Sequence, residues 1–468
     1  MPRFINDRRE LFVDDWLIDT MDGVALEMHR PQPREVAIQF DAPWEGSTSA
    51  YVTVLQDGDL YRAYYRGSGA EGQRHPSFAC CAESHDGIVW TRPNLGLFEF
   101  NGSKENNIVW VGAANFAPFL DANPGAKPEE RYKATVGSPF MALASPDGIH
   151  WRKVQEQPAI PYGPHHGAFD SQNVAFWDTE RGHYVLFKRE YRMGIRTITR
   201  CASLDFLNWS HPEWLDFGDT PEEQLYTSAA TQYFGAPHIR LAFPKRFVPE
   251  RQAVPEHPSP GLSDGIFMTS RDGLHWDRRF MEAFVRPGRD RENWTDRNMM
   301  IACGVVPTGP DEISLFYTEH YRHPTCRLRR ATLRMDGFVS VHAGCAGGEF
   351  VTKPLVFGRE EYEEVTGERA MRLTGRPEGI VRRDRLGPLS HLSVNYATSA
   401  VGHLRVEIQD ADGHPIEGYE LTGDIYGDEV DGAISWPGGA DVSRLAGRPI
   451  RLRFVLKDAD VYAIRFRK

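Results

Sequence analysis

Asp170, Glu319 and Glu45 are the residues of this 468-residue chain whose type and setting best fit proton transfer. Asp170 lies in Ala168-Phe-Asp-Ser-Gln-Asn173, a polar cluster at the head of an otherwise apolar segment. Polar side chains in such a place need either a hydrogen-bond network or a chemical task. Glu319 ends the apolar run Leu315-Phe-Tyr-Thr-Glu319, and Glu45 sits in Pro43-Trp-Glu-Gly46. Cleaving a glycosidic bond takes a carboxylic acid that protonates the leaving oxygen. A second carboxylate attacks the anomeric carbon or activates water. Carboxyl groups crowded together raise one another's proton affinity, which keeps one protonated near neutrality.

A hydroxyl-rich substrate also calls for bidentate donors and flat apolar platforms. Arg66, Arg189 and Arg297 fit the first need, and Trp44 and Tyr226 the second. Asn115, Asn173, Asp296 and the loop pair His165 and His166 complete the candidate binding set. Asp121 and Asp178 align with Asp57 in turns on the opposite side and are not expected to be catalysts. The candidates are scattered between residues 44 and 319, so only the fold can assemble them.

The element that would do so is a repeat. Ser-x-Asp-x-x-x-Trp occurs at Ser84-Asp86-Trp90, Ser145-Asp147-Trp151, Ser203-Asp205-Trp209 and Ser270-Asp272-Trp276, about sixty residues apart. A degenerate fifth, Asp336-Gly337-Phe338, falls where the period places it. Between copies run β-branched and aromatic segments separated by Gly- and Asp-rich turns, such as Ala50–Leu55, Gln56–Asp59 and Leu60–Tyr65. Five such units predict a five-bladed β-propeller over residues 1–345. Residues just before the first strand and just after the second of each blade would then meet at one mouth. Glu10–Ile18 reads as a strand that closes the ring against the last blade. The Ser-Asp-Trp turns read as structural: Asp accepts backbone N–H bonds, Gly takes positive φ, and Trp fills the space between blades. They resemble sialidase Asp-boxes, one residue shorter between Asp and Trp.

From 346 to 468 the repeat stops. Alternating segments such as Leu404–Ile408, Arg451–Leu456 and Val461–Phe466 predict a C-terminal β-sandwich. A net charge of −11 argues against a nucleic-acid partner. The six cysteines show no metal-ligand spacing, and nothing in the sequence asks for a cofactor or metal. No run is long and apolar enough to span a bilayer, and the start has no apolar leader core. A cytoplasmic home is the simplest expectation, with secretion left open; the oligomeric state is not written in the sequence.

Taken with Leu11-Phe-Val-Asp-Asp15, Phe169-Asp-Ser-Gln-Asn173 and Leu452-Arg-Phe-Val-Leu-Lys-Asp-Ala-Asp460, these features resemble the five-bladed propeller glycoside hydrolases, the group of families 32, 43, 62, 68 and 130. The likeness is greatest to bacterial family-32-like proteins. It implies an all-β chain acting on carbohydrate, with acidic residues on the first three blades as base or nucleophile, transition-state stabiliser and acid. Here blade one offers Glu45 and blade three Asp170, but the second blade offers only Asn115. Three readings stay open: an exo-acting hydrolase releasing a terminal sugar, such as a furanoside; a glycoside phosphorylase; and a non-catalytic carbohydrate-binding propeller.

Overall fold

A computed structural model of the chain describes residues 2–68, 77–112, 115–137, 140–160, 170–358 and 389–468, with the backbone of two paired strands at 362–366 and 378–382. It is all-β: strands organised in several small sheets, with three short 3-10 turns among the described residues. No helix among these residues is long and apolar enough to cross a membrane. The chain forms two compact units, Arg30–Met335 and Met1–His29 with Asp336–Lys468. The expected boundary at 345/346 therefore differs from the observed one in two ways. The break falls ten residues earlier, and the first 29 residues belong with the C-terminal part.

Arg30–Met335 contains five successive sets of antiparallel strands. The first runs Ala50–Asp57, Leu60–Gly67, Phe78–Ser84 and Ile108–Val111 in that order. The second begins with Ala117–Leu120 and the third with Val174–Asp178, each continuing outward through three more strands. The fourth is split into two three-stranded sheets, led by Thr231–Tyr233 and Gln224–Leu225. The fifth runs from Met300–Ile301 and Val306–Pro307 through Glu312–Glu319 and Arg327–Arg334 to Gln32–Gln39. A cavity of about 360 Å³ is lined by the leading strands of all five sets, from Thr53–Gln56 round to Cys303–Pro307. The first and fifth leading strands touch directly, through a parallel bridge between Thr53 and Cys303.

The same side-chain contact joins neighbouring sets in turn. At or next to the start of the second strands stand Tyr61, Tyr132 and Tyr184, whose hydroxyls donate to the Pro307 carbonyl (2.7 Å), Asp57 and Asp121 (2.7 Å) of the preceding set. Asp57 also pairs with Arg131, Asp121 with Lys133, and Asp178 with the fully buried Arg240. The three turn aspartates thus act as latches between sheets, away from the mouth described below.

The Ser-Asp-Trp turns are alike in detail. In each, the Ser hydroxyl donates to the Asp carboxylate, and that carboxylate accepts the backbone N–H groups two and three residues on: Ile88 and Val89, Ile149 and His150, Leu207 and Asn208, Leu274 and His275. Gly87, Gly148 and Gly273 hold positive φ, and Phe206 takes the same conformation at φ 68°. Each Trp packs edge-on against the preceding set: Trp90 on Phe316, Trp151 on Tyr64, Trp209 on Phe140, Trp276 on Phe187. Asp336, the degenerate fifth, instead binds Arg9 at 2.5 Å within the other unit.

These turns predict an acid limit to stability. Burial alone would raise the Asp205 and Asp272 carboxyls. The donated hydrogen bonds outweigh it and bring both down to about 2; Asp147 shifts the same way, and Asp86 is lowered chiefly by the Val89 and Ile88 N–H groups. A depressed folded-state value stabilises the fold above the unfolded value, ~4 for Asp, and the gain is lost as pH falls toward 2. The urea midpoint is expected to drop between these pH values. Asp272→Asn keeps an acceptor oxygen for the turn and should flatten part of that drop. A midpoint constant from pH 4 to 2 would refute the assignment.

In the second unit, Ile450–Arg467 and His391–Asp410 pair over most of their length within a ten-stranded sheet. Alternation along Ile450–Leu456 sends Ile450, Leu452, Phe454 and Leu456 inward. The N-terminal segment joins this sheet rather than closing the other unit. Glu10–Leu11 pairs with Ile450–Arg467, and Ile18–Asp22 with Gly348–Thr352. Its apolar residues Phe12, Leu17 and Ile18 lie in the same core as Phe350 and Phe454. The closing strand of Arg30–Met335 is Gln32–Gln39, paired with Arg327–Arg334.

Candidate active site

Asp170 precedes the third leading strand, and the residues after it hold it in place. Gln172, fully buried, donates to the Tyr51 carbonyl (3.1 Å), the Val52 carbonyl (3.2 Å) and the Thr53 hydroxyl (2.9 Å) of the first set. Ser171 donates to the Tyr226 carbonyl (2.7 Å) of the fourth. Asn173 accepts the Arg189 N–H (3.0 Å). The polar cluster read in the sequence is therefore mostly a clamp across three sets, and Asp170 is its exposed member. Its charge reaches both the Tyr51 hydroxyl and the Arg66 guanidinium.

Around it the ends of other strands converge. Arg66 donates twice to the Thr48 carbonyl (3.1 and 2.6 Å) and once to the Tyr321 hydroxyl (3.1 Å), and lies 4.7 Å over the Tyr51 ring. Arg189 and Lys245 lie 4.9 and 4.2 Å from the Tyr226 ring centre. Strand alternation selects these side chains. Arg189 points to Tyr226 while its neighbours Lys188 and Glu190 pair with each other at 2.6 Å. Lys245 points inward while Arg246 pairs with Asp264 at 2.6 Å and Glu223 at 3.1 Å. Burial pushes the Lys245 ammonium well below the usual lysine range; Arg297, Arg66 and Arg189 push the same way, against the pull of Asp296.

Asp296 has no solvent exposure. It faces Arg322 (3.2 Å), His257 (3.6 Å) and Arg297 (3.7 Å), with no closer hydrogen bond to either oxygen. Arg322 and His257, with Ser47, Thr48 and His323, line a pocket of about 500 Å³, a size common for small-molecule sites. Asp296 thus stands behind the pocket wall and fixes the side chains that form it. Thr48, which also holds Arg66, connects this pocket to the surroundings of Asp170.

Backbone strain gathers here too. Five of the twelve non-glycine residues with positive φ among the described residues are Tyr51, Arg297, Met299, His320 and Arg322. Such conformations cost ~1–3 kcal/mol each and persist where packing over-determines them, often at functional sites. Tyr51 lies in a register shift of the first leading strand, where a bulge re-aims a side chain.

Glu45 and Glu319 lie elsewhere in their local networks. The Glu45 side chain is wholly enclosed: Tyr65 donates at 2.5 Å, the Ala42 N–H at 3.0 Å, and Arg92 pairs at 3.1 Å. Burial raises its carboxyl, against the pull of Arg92, Tyr65 and the Ala42 N–H. Glu319 is gripped by Arg327 (2.8 Å) and Arg329 (2.9 Å), its cross-strand neighbours. Glu45 is thus committed to its own buried network, and Glu319 turns Oε2 to two arginines. Trp44 donates to Asn107 at 2.7 Å and packs edge-on against Phe100, so its half-buried ring leans on the core. Asn115 is buried at the head of the second set. His165 and His166 fall outside the described residues.

Sequence reading missed Tyr51, Tyr321, Arg322 and His257. Tyr51 is hidden inside an apolar run, and Arg322 and His257 come from long connections without a repeat signature. The charged pairs Lys245-Arg246 and Arg189-Glu190 were visible, but not which member faces the mouth.

No protein-family model matches the chain, and no curated protein matches it in sequence. Solved structures similar to it include a glycoside hydrolase at 12% identity, covering 65% of this chain and 92% of that one, with a TM-score of 0.47. An N-acetylgalactosamine deacetylase from F. plautii, in complex with blood group B trisaccharide, matches at 12% identity, 67% and 96% coverage, and a TM-score of 0.47. A fructofuranosidase from Schwanniomyces occidentalis, complexed with fructosylnystose, covers 93% of this chain and all of its own length, at 11% identity and a TM-score of 0.40.

Proposed function

We propose that the chain is a glycoside hydrolase that releases a terminal sugar at the mouth of a five-bladed β-propeller, with a C-terminal β-sandwich beside it in sequence. The observation that carries this reading is the exposed carboxyl of Asp170, next to the anchored Ser171 and Gln172 and within electrostatic reach of Arg66 and Tyr51. An exposed carboxyl on a chain segment anchored by the residues that follow it suits proton transfer to or from a glycosidic oxygen. Arg66 and Arg297 hold sugar hydroxyls, and the tyrosine rings supply flat apolar surface. Asp296 is a positioning residue for Arg297, Arg322 and His257.

One observation favours phosphorolysis as a second reading. Glu45 and Glu319 are held in ion pairs, and among the described residues Arg66, Arg189 and Arg297 outnumber the exposed carboxylate of Asp170 around the mouth. Phosphate as the attacking group would then replace a second carboxylate. The test is a panel of nitrophenyl pyranosides and furanosides of both anomeric configurations, assayed with and without inorganic phosphate. Hydrolysis reads as release of nitrophenol at a rate indifferent to phosphate, phosphorolysis as release that requires it. Tight glycan binding with no release under either condition would reject both and leave a binding propeller.

A further inference from the structure

The strand Ile195–Ser203 keeps different company on its two faces. The Arg196 guanidinium lies 5.2 Å from the Tyr226 ring centre, on the side of the candidate active site. Ile195 and Thr197, on either side of it in sequence, line a separate pocket of about 150 Å³. Trp214 forms part of that pocket's wall. It belongs to the outermost strand of the third set, opposite Thr199, and is 42% exposed. Edge strands are ordinarily blunted by charge, as the outermost strand of the second set is by Arg152 and Lys153. Among the described residues the Trp214 indole N–H has no hydrogen-bond partner. The Arg192 guanidinium stands 5.9 Å over its ring. The floor is fixed by neighbouring segments. Arg278, buried, donates to Glu223 at 2.5 Å and lies 5.1 Å over the Phe217 ring. Asp216 accepts the Gly218 N–H at 2.9 Å, and its own N–H donates to the Leu274 carbonyl at 2.9 Å in the turn of the fourth set. With Arg278 committed to Glu223, the open charges of the pocket are one guanidinium, Arg192, and two exposed carboxylates, Asp216 and Glu222; His275 stands 3.6 Å from Asp216. An acidic ligand finds no surplus of cations here, whereas hydroxyls find acceptors and a donor.

We propose that Trp214, Arg192, Asp216 and Glu222 form an auxiliary site that seats one ring of a neutral glycan chain, apart from the bond that is cleaved. The inference rests on the carbohydrate reading above but not on turnover. The Trp214 ring supplies a flat apolar face for the C–H side of a sugar, and its N–H a donor at the rim. The carboxylates accept from hydroxyls and Arg192 donates to them, and hydrogen bonds with one charged partner are the stronger kind. A floor fixed in advance leaves little ordering cost to binding. The pocket is smaller than the ~300–1,000 Å³ of sites that enclose a drug-sized ligand, which suits a single ring of a longer chain. A chain held there presents its remaining units to the same molecule at a raised local concentration.

Native electrophoresis of the full chain through gels containing levan, arabinan, xylan or mannan reads this binding, with polygalacturonate as the acidic comparison and a polysaccharide-free gel as the reference. At least one neutral polysaccharide is expected to slow migration, and polygalacturonate is not. Trp214→Ala should weaken the binding by about tenfold or more, the loss typical of a central aromatic anchor, and Trp214→Phe should keep part of it. Glu222→Ala provides a second variant and should weaken binding in the same direction. Both side chains are exposed, so the melting temperature of each variant should match that of the native chain. Migration slowed by no neutral polysaccharide overturns the proposal. So does slowing that is indifferent to both substitutions, or a preference for polygalacturonate. A dimer that Trp214→Ala converts to a monomer in gel filtration would assign this face to a second copy of the chain and overturn it as well. A chain slowed through Trp214 that cleaves no glycoside keeps the auxiliary site and loses the hydrolase reading; one that cleaves glycosides without being slowed does the reverse.

Discussion

Asp170→Asn is expected to lower kcat on a cleaved glycoside by about 10²–10⁴-fold with little change in KM, the range for losing a proton-transferring group. The isosteric amide keeps the shape of the exposed side chain but cannot exchange a proton at the pH of the assay. The clamp that positions residue 170 runs through Gln172, Ser171 and Asn173, not through the Asp170 carboxyl, so folding should be unaffected. A melting temperature equal to that of the native chain, together with the loss of kcat, is the combined result that supports the role. Undiminished turnover in a well-folded variant would remove Asp170 from the chemistry. The matched control is Glu319→Gln, which disturbs the pair with Arg327 and Arg329 and should act on stability before activity.

Gly304→Ala should produce the largest loss of stability from one added methyl group. Gly304 has φ 105°, which side-chain-bearing residues rarely adopt. A Cβ there would press into the carbonyl oxygen of Val54, and it would sit 3.1 Å from the Val54 carbonyl carbon. Neither neighbour can yield. Val54 N–H donates to the Cys303 carbonyl at 2.8 Å and Cys303 N–H to the Val52 carbonyl at 2.9 Å, the contact that joins the first leading strand to the fifth. Overpacking against fixed backbone, added to an unfavourable φ, is expected to cost roughly 3–5 kcal/mol, a large part of the ~5–15 kcal/mol that holds a typical domain folded. Urea unfolding followed by tryptophan fluorescence measures it. A shift below about 1 kcal/mol would mean that the two strands are not locked together as described.

The strand-and-turn character of the chain and the local form of the Ser-Asp-Trp turns were legible because both are short-range. A carboxylate two or three residues from the N–H groups it accepts, and a glycine where φ must be positive, need no distant partner. Phe206 shows the limit of that rule: it stands where the other copies have Gly because Phe119 and Tyr184 pack its ring. The role of Glu10–Ile18 was not legible. Its apolar alternation announces a strand, but any sheet with a free edge and an apolar face satisfies that pattern. The pairing with Ile450–Arg467 is settled by contacts more than four hundred residues away in sequence.

The site divides in the same way. By itself the sequence determined that Asp170 heads a polar cluster and that arginines, tyrosines and carboxylates recur at strand ends. Only the tertiary structure decided which of these meet. Glu45 and Glu319 have the same carboxyl chemistry as Asp170, but Arg92 from a connection and Arg327 and Arg329 from a neighbouring strand are brought against them, while the clamp of Gln172 and Ser171 leaves Asp170 open. Residue type sets what a side chain can do; whether it is free to do so depends on charges and walls supplied by remote segments, and the electrostatic cost of burial makes those remote partners decisive.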